Sequence, residues 1–252
     1  MKTGIIAILM FMTVPAFGQH AEDFYDPAAM AAARHHAKQM HGDSLNYLAI
    51  AERLENQVHD GDRNLVWEAQ GWIGYDRNKL WLKNEGRYNS DTTDTKEFEF
   101  QALWSHAIAP LWDIQAGWRH DFEQVDRDYA VIGLMGLAPY WFEVDAAAFV
   151  SDEGDVSARL EAEYELRFTQ RLVLQPRLEL NYAFSEDREI GVGQGMHKTH
   201  LGLRLRYEFK REIAPYFGVA WEKAWGDTAD WLTLAGDNDT ETAFVLGLRL
   251  WY

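Results

Sequence analysis

Residues 156–168, VSARLEAEYELRF, decide the fold. Val156, Ala158, Leu160, Ala162, Tyr164, Leu166 and Phe168 alternate with Ser157, Arg159, Glu161, Glu163, Glu165 and Arg167, and a period of two gives a β-strand one apolar and one charged face. Leu172, Leu174, Leu178, Leu180, Tyr182 and Phe184 repeat the pattern against Arg171, Gln175, Arg177, Glu179 and Asn181. So do Leu201, Leu203, Leu205, Tyr207 and Phe209 against His200, Arg204, Arg206 and Glu208. These runs exceed the roughly five or six residues usual in soluble strands and match the roughly 9–11 needed to cross a bilayer at a tilt.

Applied outward from this stretch, the same template predicts twelve strands: 45–57, 64–75, 79–89, 96–107, 111–122, 128–138, 141–150, 156–168, 171–184, 196–210, 213–223 and 241–252. An even number suits a closed transmembrane antiparallel β-barrel of the bacterial outer membrane. Short connections such as Tyr75–Asn78, Ala109-Pro110, Ala138–Tyr140 and Arg211-Glu212 follow even strands, and longer polar ones follow odd strands. That alternation predicts tight periplasmic turns and longer external loops, with both ends of the barrel on the periplasmic side. Residues 91–94, 151–155, 185–187 and 227–239 make the external loops acidic. Phe244, Leu246, Leu248, Leu250 and Tyr252 alternate outward at the C-terminus, and the terminal aromatic resembles an outer-membrane assembly signal. A soluble β-sandwich or lipocalin-like barrel would reverse the two faces. Strand length, and Trp and Tyr near many strand ends, favour the membrane form. Its charged interior needs water or internal pairing, and Arg159 beside Glu161, with Arg204 and Arg206 beside Glu208, supplies both signs.

Composition limits the chemistry. The chain has 252 residues, 47% hydrophobic and 14% aromatic, far too apolar for a disordered polymer. A net charge of -16 argues against nucleic acid as a partner and makes cations the natural ones. The absence of cysteine excludes disulfides, thiolate zinc sites, iron–sulfur clusters and cysteine nucleophiles. Residues 1–18 read as a secretory signal peptide: Lys2, an apolar run from Gly4 to Val14, then Pro15–Gly18 with small residues before Gln19. Residues 44–252 are then the barrel and residues 19–43 a separate segment. In that segment Asp26-Pro27 supplies an N-cap and first helical residue, an alanine-rich stretch follows, and Gly42 is a stop.

The segment concentrates metal-ligand side chains. It holds four of the nine histidines, His20, His35, His36 and His41, and Met30 and Met40, two of the four methionines beyond residue 18. On a helix Met30, His36, Met40 and His41 fall within about 140° of arc. Imidazole suits Cu(II) and other divalent ions whereas thioether selects Cu(I), so the mixture without cysteine points to copper, Cu(I) or Cu(II), above zinc. In the barrel, Met196 and His200 stand four apart on one strand, about 13 Å, and the register turns both inward near the external rim. His106, His120 and His197 fall on the lipid-facing register near strand ends.

The stretches GYDRNKLWLKNEGR (74–87), FQALWSHAIAPLWDIQAGWRHDF (100–122), GLAPYWFEVDAAAFVSDEGDVSARLEAEYELRFTQRLVLQPRLELN (136–181) and IAPYFGVAWEKAWGDTAD (213–230) resemble the copper resistance protein B family across essentially the whole barrel. The resemblance implies an outer-membrane copper-binding protein of periplasmic copper homeostasis, partnered by copper ions, outer-membrane lipid and a periplasmic multicopper oxidase. Members often carry a long Met- and His-repeat tract, which here shrinks to the residues between His20 and His41. Three functions stand side by side: copper capture for resistance, a pore for a small charged solute, and an outer-membrane hydrolase. Against the last, Ser105 and His106 are adjacent and so lie on opposite faces of a strand, which prevents proton transfer between them.

Overall fold

The computed structural model describes residues 24–41, 44–59, 61–90, 94–122 and 125–252. Residues 1–18, read above as a signal peptide, His20, and residues 91–93 of the acidic connection lie outside the described residues. The chain divides into two compact units, Met1–Asp43 and Ser44–Tyr252. Within the first, one helix, α1, runs over Pro27–His41. Asp26 caps it as its sequence foretells: the Ala29 amide donates to Asp26 Oδ2 at 3.0 Å and the Met30 amide to the Asp26 carbonyl at 3.0 Å.

The second unit is a closed barrel of twelve antiparallel strands: β1 (Asn46–His59), β2 (Asp62–Gly74), β3 (Asn78–Asn89), β4 (Asp94–Ala109), β5 (Trp112–Asp121), β6 (Arg127–Ala138), β7 (Phe142–Ser151), β8 (Val156–Glu163, continued by Leu166–Arg167), β9 (Leu172–Ala183), β10 (Gly195–Tyr207), β11 (Ile213–Ala224) and β12 (Thr240–Trp251). Each strand pairs with its neighbour in sequence, and β1 pairs with β12 from Ile50↔Trp251 to Val58↔Phe244. Closure leaves no sheet edge, which is what lets strands cross a bilayer. Phe244 and Leu246 are 75% and 68% exposed on the outer face, and Tyr47 stacks on Tyr252 at the rim where the barrel begins and ends.

Four details depart from the sequence reading. The connection after β1 is not long: β1 ends at His59 and β2 starts at Asp62, with Gly61 at φ 100°, an angle that glycine adopts without strain. The acidic stretch 227–239 is not wholly loop, because α2 occupies Gly226–Ala235 and stops at Gly236 in the left-handed conformation. Strand β8 is interrupted at Tyr164 and Glu165. The Tyr164 amide donates to the Pro176 carbonyl at 3.1 Å, but proline has no N–H with which to answer. Finally, β10 carries a bulge: Asn181 pairs with Lys198 and Tyr182 with Met196, leaving His197 as the extra residue. The bulge reverses the alternation below it, so Met196 turns outward beside Tyr182, 38% exposed, and not into the lumen.

A second bulge, in β1, sets the interior. Ala51 pairs with Ala69 and Arg53 with Glu68, so Glu52 is the extra residue and both Glu52 and Arg53 face inward. From there Glu55 and Gln57 also point inward. Glu55 has no exposed surface, and it accepts from Arg204 Nη2 at 2.7 Å, Arg204 Nε at 2.8 Å, Gln57 at 2.8 Å and the Tyr216 hydroxyl at 3.0 Å. The other interior charges form a continuous belt. Arg177 on β9 reaches Glu68 on β2 at 2.6 Å and Glu161 on β8 at 2.5 Å, and Arg53 meets the same Glu68 oxygen at 2.5 Å. Arg159 on β8 spans to Glu85 on β3 at 2.7 Å and Glu99 on β4 at 2.8 Å, and Arg119 joins Glu99 at 2.8 Å. Higher up, Lys198 on β10 bridges Glu97 at 2.7 Å and Glu222 at 2.9 Å, and Arg87 holds Glu222 at 2.7 Å. A small apolar cluster of Leu103, Tyr129, Val131 and Phe149 lines the wall beside this belt.

Two predictions follow from the register and the belt. Leu246→Arg puts a cation on the outer face at mid-strand, at a cost of about 2–4 kcal/mol. The heat-modifiable, protease-resistant folded species should fall sharply, whereas Glu163→Gln on the lumen face should leave it unchanged. Equal folding of both variants would refute the assigned faces. Arg204→Met strips Glu55 of its cation, and an unpaired buried charge costs about 3–5 kcal/mol. The urea midpoint should drop, and adding Glu55→Gln to the same chain should recover most of the loss.

Candidate functional site

Copper-ligand chemistry can reside in α1 or in the lumen, and the two differ in what surrounds the donors. α1 is continuous from Pro27 to His41, so one helix carries Met30, His35, His36, Met40 and His41. His35 and His36 are exposed and Met30 is half-buried. The side chains of Met40 and His41 lie outside the described residues. An exposed imidazole has an open lone pair and can rotate to meet an ion, so His35 and His36 fit a cargo metal that must be picked up and released.

In the lumen the histidine is committed elsewhere. His200 Nδ1 lies 3.3 Å from Glu222 and its Nε2 3.9 Å from Glu179, with Lys198 on the same strand already bridging Glu222. The bulge at His197 sends Met196 to the other face of the wall, so the two residues do not come together. Among the described residues, no group of three or more His, Asp or Glu side chains is arranged to hold a metal ion. His106 and His120 are outside, as the register requires: His106 stacks on Trp104 with ring centroids 5.4 Å apart, and His120 on Trp118 at 5.6 Å. His120 also lies 2.8 Å from Asp128. Ser105 is fully buried on the lumen side and donates to Asp113 at 3.0 Å, so Ser105 and His106 occupy opposite faces and make no nucleophile–base pair.

The open space of the barrel is uneven. A cavity of about 420 Å³ extends from the turn residues Pro110 and Leu111 past Trp72, Trp81 and Met135 to Arg159 and Arg177. Beyond those arginines the next void, between Arg87, Arg177, His200 and Arg204, measures about 40 Å³. That is space for a few water molecules. At the long-loop end Arg127 ties β6 to the 184–194 connection through Asp187 at 3.1 Å and Glu189 at 2.9 Å. The Gly193 amide donates to Thr228 Oγ1 of α2 at 2.8 Å, and a Cβ at Gly193 would sit 2.9 Å from the Thr228 nitrogen, so only glycine allows that approach. Among the described residues, the larger void thus lies toward the short turns, and ion pairs cross the lumen at mid-height.

Sequence reasoning missed Glu55, Arg204 and Tyr216 as one unit. Its available signal was the consecutive charged pair Glu52-Arg53 between apolar Ala51 and Leu54, a break in alternation that a bulge accommodates.

Comparison with known proteins places this geometry in a lineage. The family model for copper resistance protein B precursor (CopB) matches residues 45–252. Copper resistance protein B of Escherichia coli is 41% identical over 226 residues, covering 89% of this chain and 75% of the relative. A copper resistance protein B homolog of Pseudomonas syringae pv. tomato is 40% identical over 219 residues, covering 86% of this chain and 74% of the relative. Among solved structures, a NanC porin matches with a TM-score of 0.53 at 12% identity, over 81% of this chain and 98% of the porin, a likeness of fold. With a family match that spans every strand of the barrel and two relatives similar over most of their length, this chain belongs to the copper resistance protein B family.

Proposed function

We propose that this protein serves copper resistance by capturing copper on its N-terminal segment, with the barrel as an outer-membrane anchor and not as a catalyst. The observation that carries the proposal is the contrast between donors. His35 and His36 stand exposed on an unbroken helix, while His200 sits against Glu222 and Glu179 and Met196 faces away from it. Copper is the cargo. Imidazoles of His35, His36 and His41 suit Cu(II), and the thioethers of Met30 and Met40 suit Cu(I), so the segment can hold either valence. Residues 1–18 act as the export leader, short turns face the periplasm as in bacterial barrels generally, and a periplasmic multicopper oxidase is the natural recipient or donor of the metal. The ion pairs that cross the mid-lumen support capture over an open pore for a charged solute.

The test is the full-length protein carrying His35→Ala, His36→Ala, Met40→Ala and His41→Ala together. Alanine keeps helix propensity high, so a loss cannot be assigned to a melted helix. The folded barrel should persist, the tightest-bound copper should disappear from the dialysed protein, and cells should tolerate less copper. Wild-type stoichiometry and tolerance in the quadruple variant would move the capture site into the barrel.

A further inference from the structure

Nearly all cations inside the barrel have a carboxylate partner, which makes one group of cations on its rim unusual. The β8–β9 turn and the β10–β11 turn flank a groove of about 540 Å³ lined by Arg167, Arg171, Glu208, Phe209, Lys210 and Arg211. In a chain of charge -16, four cations here face a single lining carboxylate. Arg167 is taken up by Glu165 at 2.6 Å and is 3.9 Å from Glu208, which also receives Arg206 at 3.3 Å. Arg171, Lys210 and Arg211 are exposed, and among the described residues none has a carboxylate within 4.0 Å. The other short turns do not repeat this: Tyr75–Arg77 holds one cation, and Pro110-Leu111 and Pro139–Trp141 hold none.

Hydrogen bonds order the turns that carry these cations. The Glu208 amide donates to the Arg171 carbonyl at 2.8 Å, which links the two turns. Thr169 Oγ1 accepts the Arg171 and Leu172 amides at 3.2 and 2.9 Å, and the Trp251 indole donates to the Arg211 carbonyl at 2.5 Å. Phe168 and Phe209, 63% and 66% exposed, project from the same two turns. Aromatic rings at a strand end mark the level of the lipid headgroups in a transmembrane barrel. The groove therefore combines exposed aromatic rings with three unpaired cations at the strand ends of the short-turn side.

We propose that this groove binds the phosphate of an anionic glycerophospholipid in the leaflet on the short-turn side. Guanidinium groups of Arg171 and Arg211 and the ammonium of Lys210 supply charge-assisted donors to phosphate oxygens, while Phe168 and Phe209 lie along the upper acyl chain. The site rests on the barrel's being embedded in a bilayer and is independent of where copper is held.

The test is native mass spectrometry of the full-length protein released from micelles doped with phosphatidylglycerol, against phosphatidylcholine as the zwitterionic reference. Wild type should retain phosphatidylglycerol in preference to phosphatidylcholine. The triple variant Arg171→Gln, Lys210→Gln, Arg211→Gln should lower phosphatidylglycerol retention by about tenfold or more, and Arg77→Gln on another short turn should not. Millimolar inorganic phosphate should fail to displace the lipid. Equal retention of the two lipids by wild type, undiminished retention by a triple variant that remains heat-modifiable, or displacement by free phosphate would each overturn the proposal, the last by making the site one for soluble phosphate.

Discussion

A carboxylate placed where no water can reach it must find cations and donors at once, and Glu55 is the point at which this structure meets that demand. Arg204 from β10, Tyr216 from β11 and Gln57 from β1 itself converge on it. The donors come from strands that are neighbours only because the barrel has closed through β12. Ion pairs between β3 and β8, β4 and β10, and β3 and β11 extend the same logic across the lumen. A buried ion pair need not raise stability over an apolar filling, but removing one partner is severe. The belt therefore fixes register: a strand slipped by one residue would turn its charges into lipid and its apolar residues into the belt.

On the function proposed above, this constraint divides the protein's labour. Where ion pairs cross the lumen, an incoming ion must displace a partner already in place. His200 illustrates the point, held between Glu222 and Glu179 beside Lys198. Metal capture needs the opposite condition, donors with free lone pairs on a segment that can adapt to an ion. The helix over Pro27–His41 meets it with His35 and His36 exposed. On the function proposed above, the chain keeps rigidity and ligation in separate parts.

The sequence made the barrel legible because long strands such as β9 and β10 carry a clear two-residue period, and the template they set extends around a barrel that closes. The N-cap at Asp26-Pro27 was equally legible, since capping is a local matter. What escaped were departures from periodicity. A one-residue bulge at His197 reversed Met196, and another at Glu52 brought Glu55 inward. The helix in 226–235 is hidden by its acidic composition, which suggests loop although Gly236 supplies an ordinary stop signal. Which cation meets which carboxylate depends on side chains from strands up to six positions apart around the ring, and no local pattern carries that.

The central claim is that the ion-paired belt seals the barrel at mid-height. Single-channel recording of the unmutated full-length protein in planar bilayers at moderate salt tests it most directly. A sealed lumen predicts a stable baseline without discrete opening steps at moderate voltage. Regular, cation-selective steps that recur in each insertion would contradict it and would return the lumen to consideration as a route for metal.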